Sequence, residues 1–375
     1  MEVYIALQVL IVSSCLFEFY NDRKTKFRIL SLLCVVVALF GGLRWKTGND
    51  WDQFFWHFCY SNWNNIFNYV RYQTGENVER LESGFVFINI LIKSVFKTFF
   101  WYNIIICLFI QYSCYKFIRY HCPERPLLLY ATIHISAFLY FPVRAGLAVG
   151  ICYWAYRFIK ERELWKFLLV ITLASSIHNQ CVILFPLYWI GYIKPKWYYY
   201  LISFLIVYVT GTIFQDYIRP LSMLFGGEIG DKFQNYAEKE ATEGFASIGI
   251  LNVFLHFCLL STYLYMAKMK CLGKNIWAYT LINCYFLYNC IGFVFLEGMG
   301  DLSRLRDPLA ITASILYIYA ITFFIKSRIN IVRIGAIVFF VFYLMKQFLS
   351  LGQGYYFKET CIPYRTIFDY NLTLW

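Results

Sequence analysis

The chain has 375 residues, of which 60% are hydrophobic and 15% charged, with a net charge of +12 and a mean hydropathy of +0.53. Soluble domains carry roughly 25% charged residues, so a soluble globular enzyme or a separate soluble domain is excluded. The composition reads as an all-α polytopic membrane protein, a single transmembrane domain over 1–375, and the positive charge implies no nucleic acid because its placement along the chain explains it.

A spanning helix needs about 20 largely apolar residues. Stretches 3–19, 28–43, 99–118, 197–214, 248–267, 276–296, 308–325 and 329–346 fit that length. Residues 3–19 lack a basic leader and a small-residue cleavage site, so they read as a retained span. Between 127 and 193 the apolar runs are shorter: 127–141, 145–159, 166–177 and 180–193. Short or broken helices are tolerated only where protein or a water-filled cavity covers their ends. Residues 83–97 keep helical spacing, but Ser83, Asn89, Lys93 and Ser94 interrupt the apolar face. That pattern predicts an amphipathic helix lying at the interface. The count is then about twelve transmembrane helices, with interfacial helices in the first large outer loop.

Charge placement tests this layout, because cytoplasmic loops are enriched in Lys and Arg. With both ends outside, segments 21–28, 116–125, 157–166, 194–196, 268–274 and 326–333 face the cytoplasm. With Glu18 they hold 19 of the 34 Lys and Arg and 5 of the 22 Asp and Glu. Counting 83–97 as a full span would put the basic segment 160–166 outside. The loops of mixed polar chemistry, 44–98, 215–247 and the tail 347–375 among them, all fall on the outer face. Chemistry is therefore expected there.

The richest stretch is Gly41–Phe58, GGLRWKTGNDWDQFFWHF. Arg44 either snorkels to the interface or, with Lys46, binds an anionic diphosphate. Asp50 suits a general base or a helix N-cap; Asp52, two positions on, would face another way. Trp45, Trp51 and Trp56 read as interfacial belt residues or as platforms for sugar rings. Glu82 opens the interfacial helix, where a negative charge is favourable. Arg144 lies between two short apolar runs, and an ionisable group near membrane depth is a functional candidate by default. His178 splits an apolar stretch and marks a broken helix, either as a structural histidine or as part of a cavity. Arg304 and Arg306, on the turn EGMGDLSRLRD, suit phosphate oxygens or pair with neighbouring aspartates. Tyr364 and Arg365 lie in the polar tail. The 13 Cys include no CxxC pair, so neither a disulfide framework nor a metal site is inferred. No GxGxxG, P-loop, DxD or nucleophile-elbow motif occurs.

In order, these residues spell a family pattern. Gly42-Leu43-Arg44, Gly48, Asp50 and Trp51 resemble the opening block of the EpsG-like family of Wzy-type polysaccharide polymerases. Trp51 and Phe54 stand where that family usually has tyrosines. Glu82, Gly84 and Phe85 are similar to its E-x-G-F block. Arg144 with Ala148, Ile177-His178, Arg304-Leu305 and Pro363-Tyr364-Arg365 match the later blocks, and Pro308 replaces a usual aromatic. The resemblance implies a GT-C-like, multi-pass glycosyltransferase of the bacterial inner membrane, working on the periplasmic face without a metal or other cofactor. It would move a growing capsule or exopolysaccharide chain from undecaprenyl diphosphate onto the next lipid-linked repeat unit. The implied partners are that lipid-linked oligosaccharide donor and acceptor and the membrane lipid, with a chain-length regulator left open. Asp50 is then the first choice of base and His178 the second. Arg44, Arg144, Arg304, Arg306, Glu82, Tyr364 and Arg365 would bind the diphosphate or substrate. An O-antigen-type ligase and a polysaccharide flippase are the alternative readings.

Overall fold

The computed structural model describes residues 2–20, 22–48, 51–67, 70–72, 78–137, 144–222, 250–269, 276–295, 304–353 and 360–370. Contacts group the chain into two compact units, Met1–Val182 with Ile334–Trp375, and Ile183–Arg333.

The first unit holds α1 (Glu2–Ser14), α2 (Phe17–Tyr20), α3 (Arg23–Gly42), α4 (Trp51–Tyr60), strands β1 (Val70–Tyr72) and β2 (Val78–Arg80), α5 (Ser83–Phe96), α6 (Phe99–His121), α7 (Pro126–Ala137), α8 (Arg144–Glu161) and α9 (Leu164–Ile177). Helix α3 begins where Asp22 accepts from the amides of Lys24 and Thr25, a standard N-cap. It runs antiparallel to α6. Phe27 meets Tyr115 at one end, and Gly42 meets Ile104 at the other, where a Cβ would come within 2.9 Å of the Ile104 Cα. Glycine lets the two backbones touch at that crossing.

The helix expected over 83–97 is present as α5, which turns away from α6 by 119°. Its C-cap, Lys97, takes the left-handed conformation that ends a helix. Between α4 and α5 the chain forms the antiparallel pair β1–β2, with Val70 opposite Arg80. The all-helical expectation did not include this hairpin; three-residue strands are too short for an alternation to register in sequence.

The unit has two chemically distinct ends. At one end Glu18 is 1% exposed. Its carboxylate accepts from the Leu127 amide at 2.8 Å and pairs with Lys26 at 3.3 Å. It thus caps the start of α7 from another helix. Tyr120 at the end of α6 donates to Glu161 of α8 at 2.9 Å. The basic segments 21–28, 116–125 and 157–166 therefore share this end, as charge placement predicts. The opposite end gathers α4, α5, the starts of α6 and α8, the end of α9 and residues 360–370.

The second unit contains α10 (Leu187–Ile190), α11 (Trp197–Ser222), α12 (Ile250–Lys268), α13 (Ile276–Phe295), a 3-10 segment Arg304–Leu309 and α14 (Ala310–Ile325). Helix α15 (Asn330–Gln353) starts in this unit and continues into the first. The run 180–193, expected to be one apolar helix, is instead a 3-10 segment, Asn179–Leu184, followed by the single turn α10. The end of that turn is fixed from α13. Asn283 donates to the carbonyls of Ile190 at 2.6 Å and Ile193 at 2.9 Å. Those carbonyls would otherwise need a continuing helix.

Among the described residues, Glu2–Phe19, Arg23–Gly42 and Leu305–Ile325 are each long and apolar enough to cross a membrane, and the bent pair α5–α6 gives up to a fourth. Most of the remaining expected spans are helical, and among the described residues Leu164–Ile177, Asn179–Ile190, Trp197–Thr210 and Asn330–Met345 are shorter apolar helices. Polar side chains also enter the helix packing: Gln111 of α6 accepts from buried Tyr130 at 3.0 Å. With outward-facing side chains such as Leu10, Leu32, Val209 and Val338, the architecture is compatible with a membrane protein.

Removing the Glu18 carboxylate strips α7 of its cap and Lys26 of its partner. Losing a helix cap costs about 0.5–2 kcal/mol. Glu18→Ala should lower the thermal unfolding midpoint of the detergent-solubilised protein, and an unchanged midpoint would show that the cap contributes nothing.

Candidate functional site

Glu82, Arg144 and His178 lie far apart in sequence and meet at the end opposite the basic loops. Arg144 Nη1 reaches Glu82 Oε2 at 2.9 Å. The Asn179 amide donates to Glu82 Oε1 at 3.1 Å, and His178 Nδ1 lies 3.7 Å from that same oxygen. The three side chains keep 11–20% of their surface exposed, so the cluster is shielded but reachable.

Local structure explains this convergence. Helix α9 stops at Ile177, His178 adopts an extended conformation with φ −150° and ψ 118°, and the 3-10 segment starts at Asn179. Arg144 is the first residue of α8. A cation at a helix N-terminus faces the positive end of the dipole, and the Glu82 carboxylate offsets that repulsion. Glu82 occupies the N-cap position of α5 but makes no side-chain cap there. Its charge still sits at the favourable end of its own helix, while its hydrogen bonds go to Arg144 at the start of α8 and to the Asn179 turn. Gly84 makes the approach possible, since a Cβ there would lie 2.6 Å from the Ser176 carbonyl oxygen of α9.

A second cluster surrounds Arg44. This residue is 2% exposed, so it does not snorkel. Residues 360–370 fold back over its loop as a strap. Arg44 forms a β-bridge with Thr366, the Trp45 amide donates to the Arg365 carbonyl at 2.9 Å, and the Gly48 amide donates to the Thr360 carbonyl at 2.8 Å. Thr47 Oγ1 accepts from the Arg365 amide at 3.0 Å. Gly48, at φ 95°, supplies a backbone turn that suits glycine. Tyr364 stacks on Phe40 at 4.4 Å and donates to its carbonyl at 2.5 Å. Tyr4 packs edge-on against both rings. Burial pulls the Arg44 guanidinium below its ordinary pKa, and the surrounding tyrosine and cysteine side chains act against that shift.

Residues 360–370 of the expected polar tail form this strap, and it rearranges the expected cations. Lys46 is exposed and lies 5.5 Å from the centre of the Tyr370 ring. Arg365, also exposed, donates to Tyr370 Oη at 3.1 Å. Lys46 and Arg365 therefore share a surface ring while Arg44 lies beneath them. Tyr4 and Thr47 are members of this cluster that sequence reading did not single out. Tyr4 bonds to Cys361 across 357 positions, a separation that leaves no local signal.

Trp45 and Trp51 are each 3% exposed and pack with Phe55 and Phe99. They form an aromatic core under α4, so neither is a belt residue or a sugar platform. Trp56 is 52% exposed and stacks on Tyr60 at 5.6 Å. Asp50 lies outside the described residues, next to the first residue of α4. In the second unit, Arg306 sits 5.2 Å over the Tyr288 ring. Arg304 is described by its backbone only, at the start of the 3-10 segment; Glu297 and Asp301 lie outside the described residues.

Because α5 and α9 touch at Gly84, a methyl group there must push Ser176 away and carry Glu82 with it. Overpacking of this kind costs about 1–3 kcal/mol. Gly84→Ala should destabilise the protein in thermal unfolding more than Gly335→Ala, where open space surrounds the glycine. Equal midpoints for the two variants would refute the close approach.

No curated protein matches the chain, and no solved structure matches it. The EpsG family model matches residues 27–366. That span includes Arg44, Glu82, Arg144, His178, Arg304 and Arg365, and it covers far more than half of the sequence. The chain belongs to the EpsG family.

Proposed function

We propose that the protein is the repeat-unit polymerase of a capsule or exopolysaccharide, acting on the outer face of the inner membrane. It moves a growing glycan from undecaprenyl diphosphate to the next lipid-linked repeat. The observation that carries the reading is the meeting of Glu82, Arg144 and His178, three family blocks from separate helices, within 3.7 Å and away from the basic end.

In this reading an acceptor hydroxyl oxygen attacks the anomeric carbon of the donor sugar. The new glycosidic bond forms as the bond to the carrier diphosphate breaks, and the departing diphosphate takes up the electron pair. Arg144 faces that growing negative charge, with Lys46 of the Arg44 loop and Arg365 of the strap as exposed cations. The hydroxyl proton passes to a base, Asp50 first and His178 second, with Glu82 holding Arg144 and the His178 turn in place. Arg44 acts by positioning, since it holds beneath the strap the loop that leads to Asp50. Arg304 and Arg306, on the second unit, are proposed separately as residues able to bind a diphosphate. Preorganised charge commonly contributes more to catalysis than any other single effect, and losing one contact costs about 10²–10³ in rate.

Single variants Asp50→Asn, Glu82→Gln, Arg144→Ala and His178→Ala, expressed at normal levels in the native host, should reduce long surface polymer to single repeats, as read on a gel. Full-length polymer from all four would sink the site. Long chains retained on the carrier lipid would point to a ligase, and lipid-linked repeats trapped on the cytoplasmic face to a flippase.

A further inference from the structure

A cleft of ≈ 380 Å³ opens between α6 and α8 at the basic end, far along both helices from Glu82. Lys116, Arg119 and Arg157 line it, and none of its lining side chains is acidic. Arg157 Nε pairs with Glu161 at 2.9 Å. Arg157 and Lys160 lie 5.2 and 4.8 Å from the centre of the Tyr120 ring. Lys116, Arg119 and Arg157 thus line the cleft, Lys160 joins Arg157 at the Tyr120 ring, and the Glu161 carboxylate is taken up by Arg157. Like charges gathered in one cleft repel, and a bound anion relieves the repulsion. The inner wall is polar as well as aromatic: Trp154 Nε1 donates to Ser113 Oγ at 3.0 Å.

The outer face of α6 indicates the kind of anion. Leu108, Tyr112, Lys116 and Arg119 recur at helical spacing and fall on one face. Leu108 is 41% and Tyr112 50% exposed, and Lys116 Nζ lies 5.3 Å over the Tyr112 ring. An exposed apolar strip therefore runs directly into the cationic cleft. A free anion has no use for such a strip, whereas a lipid can lay its chains along it and place its phosphate at the end. Basic pockets between membrane helices are known to take anionic headgroups. We infer that the α6–α8 cleft binds the phosphate headgroup of an acidic phospholipid in the leaflet at the basic end. The site shares no residue with the Glu82 cluster and does not depend on the polymerase reading.

The test uses the full chain purified in a neutral detergent, with its thermal midpoint followed during titration. Dioctanoyl phosphatidylglycerol should raise the midpoint saturably. Dioctanoyl phosphatidylcholine and inorganic phosphate should require about tenfold more to do so. The variant Lys116→Gln/Arg119→Gln/Arg157→Gln should weaken the phosphatidylglycerol response by about tenfold or more. If that variant does not fold, Arg119→Gln alone, altered at an exposed position, should still shift the half-saturation point upward. A wild-type response from the variant that folds would overturn the inference, as would equal stabilisation by phosphatidylcholine. Saturation by inorganic phosphate at the same concentration would replace the lipid with a soluble anion and overturn it too.

Discussion

One carboxylate organises the end of the first unit opposite its basic loops. Glu82 accepts from Arg144 and from the Asn179 amide and lies beside His178. Each partner belongs to a different element, and each would be left in difficulty without it. Arg144 would face a helix dipole of its own sign, and Asn179 would open a helical segment with an unpaired amide. A partly buried charge that satisfies several donors is costly to remove. The same arrangement places an imidazole, a guanidinium and a carboxylate at one shielded point, which is why the proposed chemistry is centred there.

The strap over Arg44 provides the second constraint. Residues 360–370 close on the loop after α3 through backbone hydrogen bonds on both sides of Arg44, and Tyr364 locks them onto Phe40. The triplet Pro363-Tyr364-Arg365 thereby splits its work. Tyr364 packs inward, while the Arg365 side chain stays at the surface near Lys46. A buried guanidinium here is a framework element, and the exposed cations above it remain available to a ligand.

The opposite end of the unit follows different physics. Its loops are short and basic, Glu18 caps α7 across the helix interface, and the α6–α8 cleft collects cations around Tyr120. The polarity of the unit, mixed polar chemistry at one end and cations at the other, is therefore built into the packing of α3, α6 and α8 as well as into loop composition.

The sequence by itself determined the apolar helical character, the amphipathic helix over 83–97, the break at His178, the shared end of basic segments 21–28, 116–125 and 157–166, and the order of the family blocks. Apolar spacing, charge placement and chain order are local or one-dimensional properties, and they survive without coordinates. Only the tertiary structure decided that Glu82 bonds to Arg144 and the Asn179 amide, that Arg44 is buried under residues 360–370, that Trp45 and Trp51 belong to an aromatic core, and that Asn283 ends the run at Ile190. Each of those outcomes depends on which side chain approaches across many positions. A carboxylate, a guanidinium or an indole can satisfy several partners, and the choice is made by the packing that brings one of them within reach.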